Sequence, residues 1–511
     1  MEKIAIIDMG SNTIRMVIFQ VAEHAYHLID DTKETVRLSE YMGAEMTLKP
    51  AAVDRALAAL QRFMKLCRSR DVKTVIPVAT AAVRGARNRE EFLGRVEQET
   101  GLAFRVLSGE EEAYYGFLGV INGFREECGY TLDIGGGSSE ITLFEGRALS
   151  SAISMPFGAL TLTERFRSKA GDGRVEAEEL RRYLRTAFGR EAWLGSRRGL
   201  PVIGLGGTVR NIARVHRHLI HYPLESAHQY AMSKEQVDET LRMLSGLSLR
   251  QLQELPGLSK DRADLIVAGG MIIQTLMEAV EAPILLISGN GLREGLFYEH
   301  MQQRSPEGRG DDVLMNEVVN MMRYYHVDER HATHVAHLAL RLFDELAPLH
   351  GMGEEERLLL AAAAHLHDVG VAVSFYEWQR HTFYVLLHSK MAGLTHRERL
   401  MTALIASFKN RKKMREISSP YHGLLRPGDE ETVQKLGILL LLARALDRSR
   451  SSDIQDLTCC ADGKRVRIRV QSINPDIRLE LKEASEFQQR FAKAFGMEYD
   501  LQADISGARQ R

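Results

Sequence analysis

Net charge is almost absent from this chain of 511 residues: 67 Lys and Arg face 68 Asp and Glu, leaving a formal −1. A general nucleic-acid or membrane binder carries a broad positive excess, so the balance argues against both, and any anion site must be built locally. Cysteine is equally scarce. Cys67, Cys128, Cys459 and Cys460 are the only four and follow no framework spacing, which fits a reducing compartment and a cytoplasmic protein. Long apolar runs are missing, since no stretch reaches the ~18–20 residues that span a bilayer. The first residues enter a strand pattern without the basic flank and apolar run of a signal peptide. What remains is ordinary for a soluble globular protein, 44% hydrophobic and 26% charged, at a length that predicts two to four domains.

Against that background one stretch stands out. Tyr130 to Phe144 reads as an apolar strand into Asp133, then Gly135-Gly136-Gly137-Ser138-Ser139-Glu140, then a second strand from Ile141. Glycines allow a turn with exposed N–H groups, a concave set of donors suited to phosphate. Asp133 and Glu140 flank that turn, and carboxylates beside phosphate are reasonable if a hard cation lies between them. Residues 4–19 repeat the plan about 125 residues earlier: a strand into Asp8, the turn Gly10-Ser11-Asn12-Thr13, and a strand leaving. Asp8 matches Asp133, Gly10 matches Gly135, and Ile14 to Phe19 match Ile141 to Phe144. Two related half-domains sharing a cleft are predicted.

Helical spacing of Val53, Leu57, Leu60 and Met64 predicts a helix over 49–69. Strands are expected at 26–38, 72–80 and 104–107, with helices over 89–101 and from Ser108 to about Gly123. Two further glycine turns, ending in Gly206-Gly207-Thr208 and at Gly289 to Gly291, each lead into a helix whose N-terminus favours an anion. Residues 302–312 read as a polar, Gly/Pro-broken linker. A helical region follows to about Ser451, then a hairpin at Asp462-Gly463 with Val466, Ile468 and Val470 opposite Arg465, Arg467 and Arg469. A strand at 477–481 and a closing helix at 483–495 complete the chain.

The runs Asp8-Met-Gly-Ser-Asn-Thr13, Thr80-Ala-Ala-Val-Arg84, Ser108-Gly-Glu-Glu-Glu-Ala113, Asp133 to Glu140 and Gly204-Leu-Gly-Gly-Thr208, in that order, resemble the exopolyphosphatase and guanosine-pentaphosphate phosphohydrolase family. The resemblance implies an α/β, actin-like (ribonuclease-H-like) fold of two subdomains, at 1–124 and 125–301. A mainly α, HD-like domain at 313–455 and a small α+β segment at 456–511 follow the linker. It also implies Mg²⁺ or Mn²⁺ as cofactor, a homodimer, and removal of terminal phosphate from inorganic polyphosphate or guanosine pentaphosphate.

Onto that expectation individual residues are placed. The family's proposed base matches Glu112. Glu111 is a second candidate in the same run, with a structural role open to it: Ser108 and Glu111 have the spacing of a capping box. Arg84 matches the family's phosphate-binding arginine, whose planar fork grips phosphate bidentately. Gly10, Ser11, Asn12, Thr13, Gly135, Gly136, Gly137, Ser138, Gly206, Gly207 and Thr208 are assigned to phosphate. Asp8, Asp133 and Glu140 are assigned to the cation, although either Asp can instead cap its own turn. Glycines 116, 119 and 123 share one helix stripe, open to close approach by a ligand or another backbone. An actin-like sugar or acetate kinase, and a non-hydrolysing sensor of guanosine tetraphosphate, are the competing classes.

The helical part holds a second constellation. His331 in His-Ala-Thr-His334, the pair His367-Asp368 and Asp447 resemble the divalent-metal ligands of the HD superfamily, with His381 as a further candidate. Val371 stands where active HD enzymes often carry Lys. Lys409 to Arg415 and the Arg465/Arg467/Arg469 face are candidate tracks for a polyanion, or simply solvated surface.

Overall fold

A computed structural model describes residues 2–22, 25–40, 42, 45–168, 175–304, 312–463 and 465–505. It divides into two compact units, Met1–Val313 and Leu314–Arg511. The stretch expected as a linker lies largely outside the described residues, and its first part is helix, because Leu292–Arg304 continues through 302–304.

The first unit is built on two sheets. Strands β1 (Glu2–Met9), β2 (Thr13–Ala22), β3 (Ala25–Thr35), β4 (Thr74–Ala79) and β5 (Arg105–Val106) are ordered β3-β2-β1-β4-β5. Strands β6 (Gly129–Ile134), β7 (Ser139–Glu145), β8 (Ala148–Met155), β9 (Val202–Leu205), β10 (Tyr230–Ser233) and β11 (Ile284–Ile287) are ordered β8-β7-β6-β9-β11-β10. In both sheets an antiparallel three-strand meander is extended by parallel strands, at β1–β4–β5 and at β6–β9–β11. The halves therefore share one topology, with β10 added at one edge.

The ladders also correct the internal alignment. Asp8 lies opposite Arg15, and Asp133 lies opposite Glu140. Ile14 thus corresponds to Ser139, not Ile141, and the position equivalent to Glu140 is an arginine. Both turns close on the same bond, Gly10 N–H to Thr13 O and Gly135 N–H to Ser138 O, each 3.0 Å.

Strand β1 shows why the sheets are covered on both sides. Ala5, Ile7 and Met9 pack with Val53, Leu57 and Leu60 of the Pro50–Ser69 helix, as the helical spacing predicts. Ile4 and Ile6 face the opposite way into a core shared by the two sheets, with Phe117, Phe144, Leu205 and Phe297. Alternate residues of one strand thus feed two cores, which explains its continuous apolar run. Within the shared core the helices Gly109–Ile121 and Leu292–Arg304 cross closely. A Cβ at Gly119 would collide with the Gly291 carbonyl, and one at Gly295 with the Tyr115 carbonyl. Of the glycine stripe, Gly119 is the member that admits another backbone; Gly123 makes room for the Asn290 side chain, and Gly116 has only Leu205 nearby, at 3.8 Å.

The second unit is helical from Val313–Tyr324 to Asp429–Leu446. It ends in a three-stranded sheet of β12 (Ile454–Asp462), β13 (Arg465–Ser472) and β14 (Glu498–Ile505). The expected strand at 477–481 is instead the start of a helix, Arg478–Ser485, and the closing helix is a separate element, Gln488–Phe495. The alternation of Ile477, Leu479 and Leu481 misleads: Leu479 is exposed, while Ile477, Glu480 and Ala484 are buried at helical spacing. Strand β14 was not expected. It pairs parallel to β13 and sets Glu498 beside Arg465 and Asp500 beside Arg467, so the arginine face is partly neutralised within its own sheet.

Candidate active site

The two glycine turns meet. A Cβ at Gly136 would touch Ser11 Cβ at 3.4 Å, and one at Gly137 would lie 3.3 Å from Ser11 Oγ. Together they line a cavity of about 140 Å³ to which residues 10–13, residues 135–138, Gly206 and Gly207 all contribute. Gly206, at φ +82°, opens the Gly206–Leu219 helix, which begins three residues earlier than the sequence pattern suggests. The left-handed backbone suits glycine there, and a Cβ would press on Asp133 Oδ1 at 2.6 Å. A helix start with bare N–H groups on a cavity wall is suited to phosphate. Thr208 does not reach the cavity; its methyl faces Gly269, and its buried hydroxyl finds no hydrogen-bond partner among the described residues.

Asp8, Asp133, Glu140 and Glu112 line the same space. Burial pushes Asp133 up to about 6, against the attraction of Arg210. Burial also raises Asp8, and it raises Glu140 well above the ordinary range, with Glu112 and Asp133 adding repulsion. Carboxylates clustered out of water are ionised most easily when a cation joins them. Their all-oxygen donor set fits a hard ion such as Mg²⁺, which keeps several waters and binds through one or two carboxylates plus substrate phosphate. Consistent with few direct ligands, no three cleft carboxylates converge as a tight trio among the described residues. Glu140 is partly committed elsewhere, accepting from Ser154 Oγ at 2.7 Å.

Glu112 sits one turn into the Gly109–Ile121 helix, and the two adjacent glutamates separate cleanly. Glu111 completes the capping box, accepting from the Ser108 N–H at 2.7 Å, and its other oxygen takes Arg105 at 2.8 Å. It is absent from the cavity wall, so its candidacy as a catalytic group is corrected to a structural one. Glu112 points inward with its side chain 14% exposed. Burial pushes its carboxyl up to about 7, opposed by the hydrogen bond from Arg84. Arg84 itself does not line the cavity. Its Nη1 donates to Glu112 at 3.0 Å and to the Leu107 carbonyl at 2.8 Å, so in this state it holds the candidate base rather than a phosphate.

The cations that do line the cavity escaped the sequence reading: Arg15, Arg210, Arg262 and Arg293. Burial pushes Arg210 down to about 10, with Arg15 and Arg293 adding repulsion. Arg15 and Arg262 are depressed by burial as well. Four guanidinium groups crowded out of water make a site that a polyanion would relieve. Arg210 was detectable one turn after Gly206 on a predicted helix, and Arg293 two residues after Gly291. Arg15 required the strand register.

In the helical unit, His331, His367 and Asp368 are brought together, and Asp447 touches His331. His381 does not join the group. Lys412 and Lys413 are exposed, and Lys413 pairs with Glu416. No helix among the described residues is long and apolar enough to cross a membrane.

Comparison with known proteins finds relatives for both units. Residues 17–304 match the model of the Ppx/GppA phosphatase family, and residues 313–488 match its domain III. Curated relatives include a guanosine-5'-triphosphate,3'-diphosphate pyrophosphatase of Vibrio vulnificus, 25% identical over 485 residues and covering 92% of each chain. One of the same name from Pseudoalteromonas translucida is 27% identical over 421 residues, covering 79% of each. Among solved structures, the Aquifex aeolicus family member aligns with a TM-score of 0.52 at 27% identity, over 59% of this chain and 98% of that one. An exopolyphosphatase from Cytophaga hutchinsonii, 24% identical, shares the fold with a TM-score of 0.55 over 59% of this chain and 98% of that one. With paired actin-like halves, a donor-lined cleft between them and family matches across both units, the chain belongs to the Ppx/GppA phosphatase family.

Proposed function

We propose that this hydrolase cleaves the terminal phosphoanhydride of inorganic polyphosphate and releases orthophosphate. The cavity carries the reading: it is small, ringed by arginines and carboxylates, and no described residue lining it offers an aromatic ring to a base. Its walls suit a terminal phosphate and its neighbour. Glu112 takes a proton from the attacking water, the terminal P–O bond breaks in line, and the leaving phosphate chain carries away the bond's electrons. Arg15, Arg210, Arg262 and Arg293 neutralise charge on the phosphate oxygens, and the glycine turns orient the chain end. Asp8 and Asp133 would hold a Mg²⁺ or Mn²⁺ ion, which would supply further charge neutralisation when bound.

A second substrate reading is favoured by the curated relatives, which are named for guanosine-5'-triphosphate,3'-diphosphate and match most of the chain. Its terminal phosphate is the same group. Measuring phosphate release from both substrates at equal concentration decides between them: turnover of the nucleotide alone sinks the polyphosphate reading, and tight nucleotide binding without release would point to a sensor.

Two measurements test the roles. The activity profile kcat/KM should fall tenfold per pH unit below about 7, as Glu112 gains its proton. Arg84→Gln removes the cation that opposes this, so the acid limb should move to higher pH; an unmoved limb separates Arg84 from Glu112. Asp133→Asn should raise the Mg²⁺ concentration needed for half activity. An unchanged requirement would leave Asp133 only its place beside the turn.

A further inference from the structure

Two ion pairs join the edge strand β3 to the segments that carry Arg262 and Arg293. Arg293 Nη1 donates to Asp31 Oδ1 at 3.3 Å, and Lys33 Nζ donates to Asp261 Oδ2 at 2.7 Å. Asp31 and Lys33 stand two residues apart on one strand, so they share a face. The register identifies that face. Lys33 lies opposite Arg15 and Asp31 opposite Val17, and Arg15 lies opposite Asp8. Asp8, Arg15 and Lys33 therefore form one row across three strands. The first two line the cavity, and Lys33 continues the row beyond its wall.

Both pairs end at or beside a cavity arginine. Arg293 is the second residue of the Leu292–Arg304 helix. Asp261 immediately precedes Arg262 in the turn Lys260–Arg262. Asp31, Lys33 and Asp261 do not line the cavity themselves. An ion pair between two exposed groups contributes little to stability. The Asp31 pair differs in one partner, since the Arg293 side chain is 9% exposed against 50% for Asp31. A guanidinium shut away from water takes its orientation from the protein groups that accept its N–H bonds. Its charge agrees with that reading. Burial lowers Arg15, Arg210 and Arg262. Arg293 alone of the four is raised: burial opposes its charge, but Glu294, Asp8 and Asp31 together outweigh it. Asp31 also supports the charge on Arg15.

We infer that β3 clamps the arginine ring from outside, given the phosphate contacts proposed above for Arg262 and Arg293. Asp31 is a positioning residue that aims Arg293 at the substrate, and the Lys33–Asp261 pair anchors the turn that carries Arg262. Asp31 is itself negative, so as a bare charge it repels a polyanion. Any benefit it gives to turnover passes through the arginine it holds.

Those opposed effects separate in full-length Asp31→Asn, assayed with whichever of inorganic polyphosphate and guanosine-5'-triphosphate,3'-diphosphate the parent chain turns over faster. Loss of a repelling charge alone would lower KM, leave kcat unchanged and fade with added salt. Loss of positioning should lower kcat ~10-fold at low and high salt alike, inside the ~10²-fold that a small misplacement can cost. Asp31→Glu should recover part of the loss. Arg293→Gln should itself lower kcat/KM, and adding Asp31→Asn to it should cost less than about twofold more, because the carboxylate then has nothing to hold. Lys33→Asp should lower kcat/KM, and the swap Lys33→Asp/Asp261→Lys should restore it. Unchanged kcat in Asp31→Asn beside an impaired Arg293→Gln overturns the clamp and leaves the phosphate contacts standing. Fully multiplicative losses in the double variant overturn the assignment of Asp31 to Arg293. A swap that restores nothing removes Lys33 from the clamp. Undiminished activity in Arg293→Gln overturns the arginine contact, and the clamp with it.

Discussion

Glu112→Gln is expected to lower kcat by ~10²–10⁴-fold while leaving KM close to that of the parent chain. The size of the effect follows from what the carboxylate does only in the transition state, where it accepts a proton from water. Binding of the phosphate chain depends on the arginines and glycine turns, which the substitution leaves in place. Gln fills the same volume and can still accept from Arg84, so loss of fold is not the expected cause. The pH profile gives an independent check: the limb near 7 should vanish in the variant. Turnover within a few-fold of the parent would remove Glu112 from the mechanism.

Arg210→Gln carries the second largest effect, a fall of ~10²–10³-fold in kcat/KM, the usual result of deleting one preorganised donor to developing negative charge. Arg210 is held in place, its Nε donating to the Gly206 carbonyl at 3.1 Å. Its charge is kept in a buried site where it is worth more than in water. Arg210→Lys should recover little, because an ammonium cannot reproduce both the bond to Gly206 and the fork toward phosphate. A variant losing only stability, with unchanged kcat/KM at a temperature where it is folded, would assign Arg210 to holding the start of its helix through Gly206 instead. Asp133 offers a further readout: without the opposing cation, its carboxyl should rise beyond the value near 6 that burial already imposes.

The difference between Glu111 and Glu112 illustrates where local information ends. Both are glutamates in one helical turn, and the capping spacing of Ser108 and Glu111 is visible in the chain. The site follows because a residue used as a cap points back along the helix, which leaves its neighbour to face the cleft. Arg84 was legible as a residue and not as a contact; only the fold shows its guanidinium on Glu112. The arginine ring was hardest to see. Single arginines scattered at 15, 210, 262 and 293 carry no local pattern, and nothing short of the folded sheets reveals that they surround one cavity.

What the amino-acid order determined by itself was everything governed by short-range backbone chemistry: the strand–Asp–glycine turn units, the helix that starts at Ser108, the duplication of the halves and the pairing of His367 with Asp368. Those features are written in neighbouring residues, where turn geometry, capping and periodicity act. The tertiary structure alone decided which distant groups share a space: the strand register that sets Arg15 against Asp8, the four guanidinium groups around the cavity, the added strand β14, and the hydrogen bond between Asp447 and His331. Burial and long-range electrostatics act through space and not along the chain, so their outcome exists only once the sheets and helices have packed.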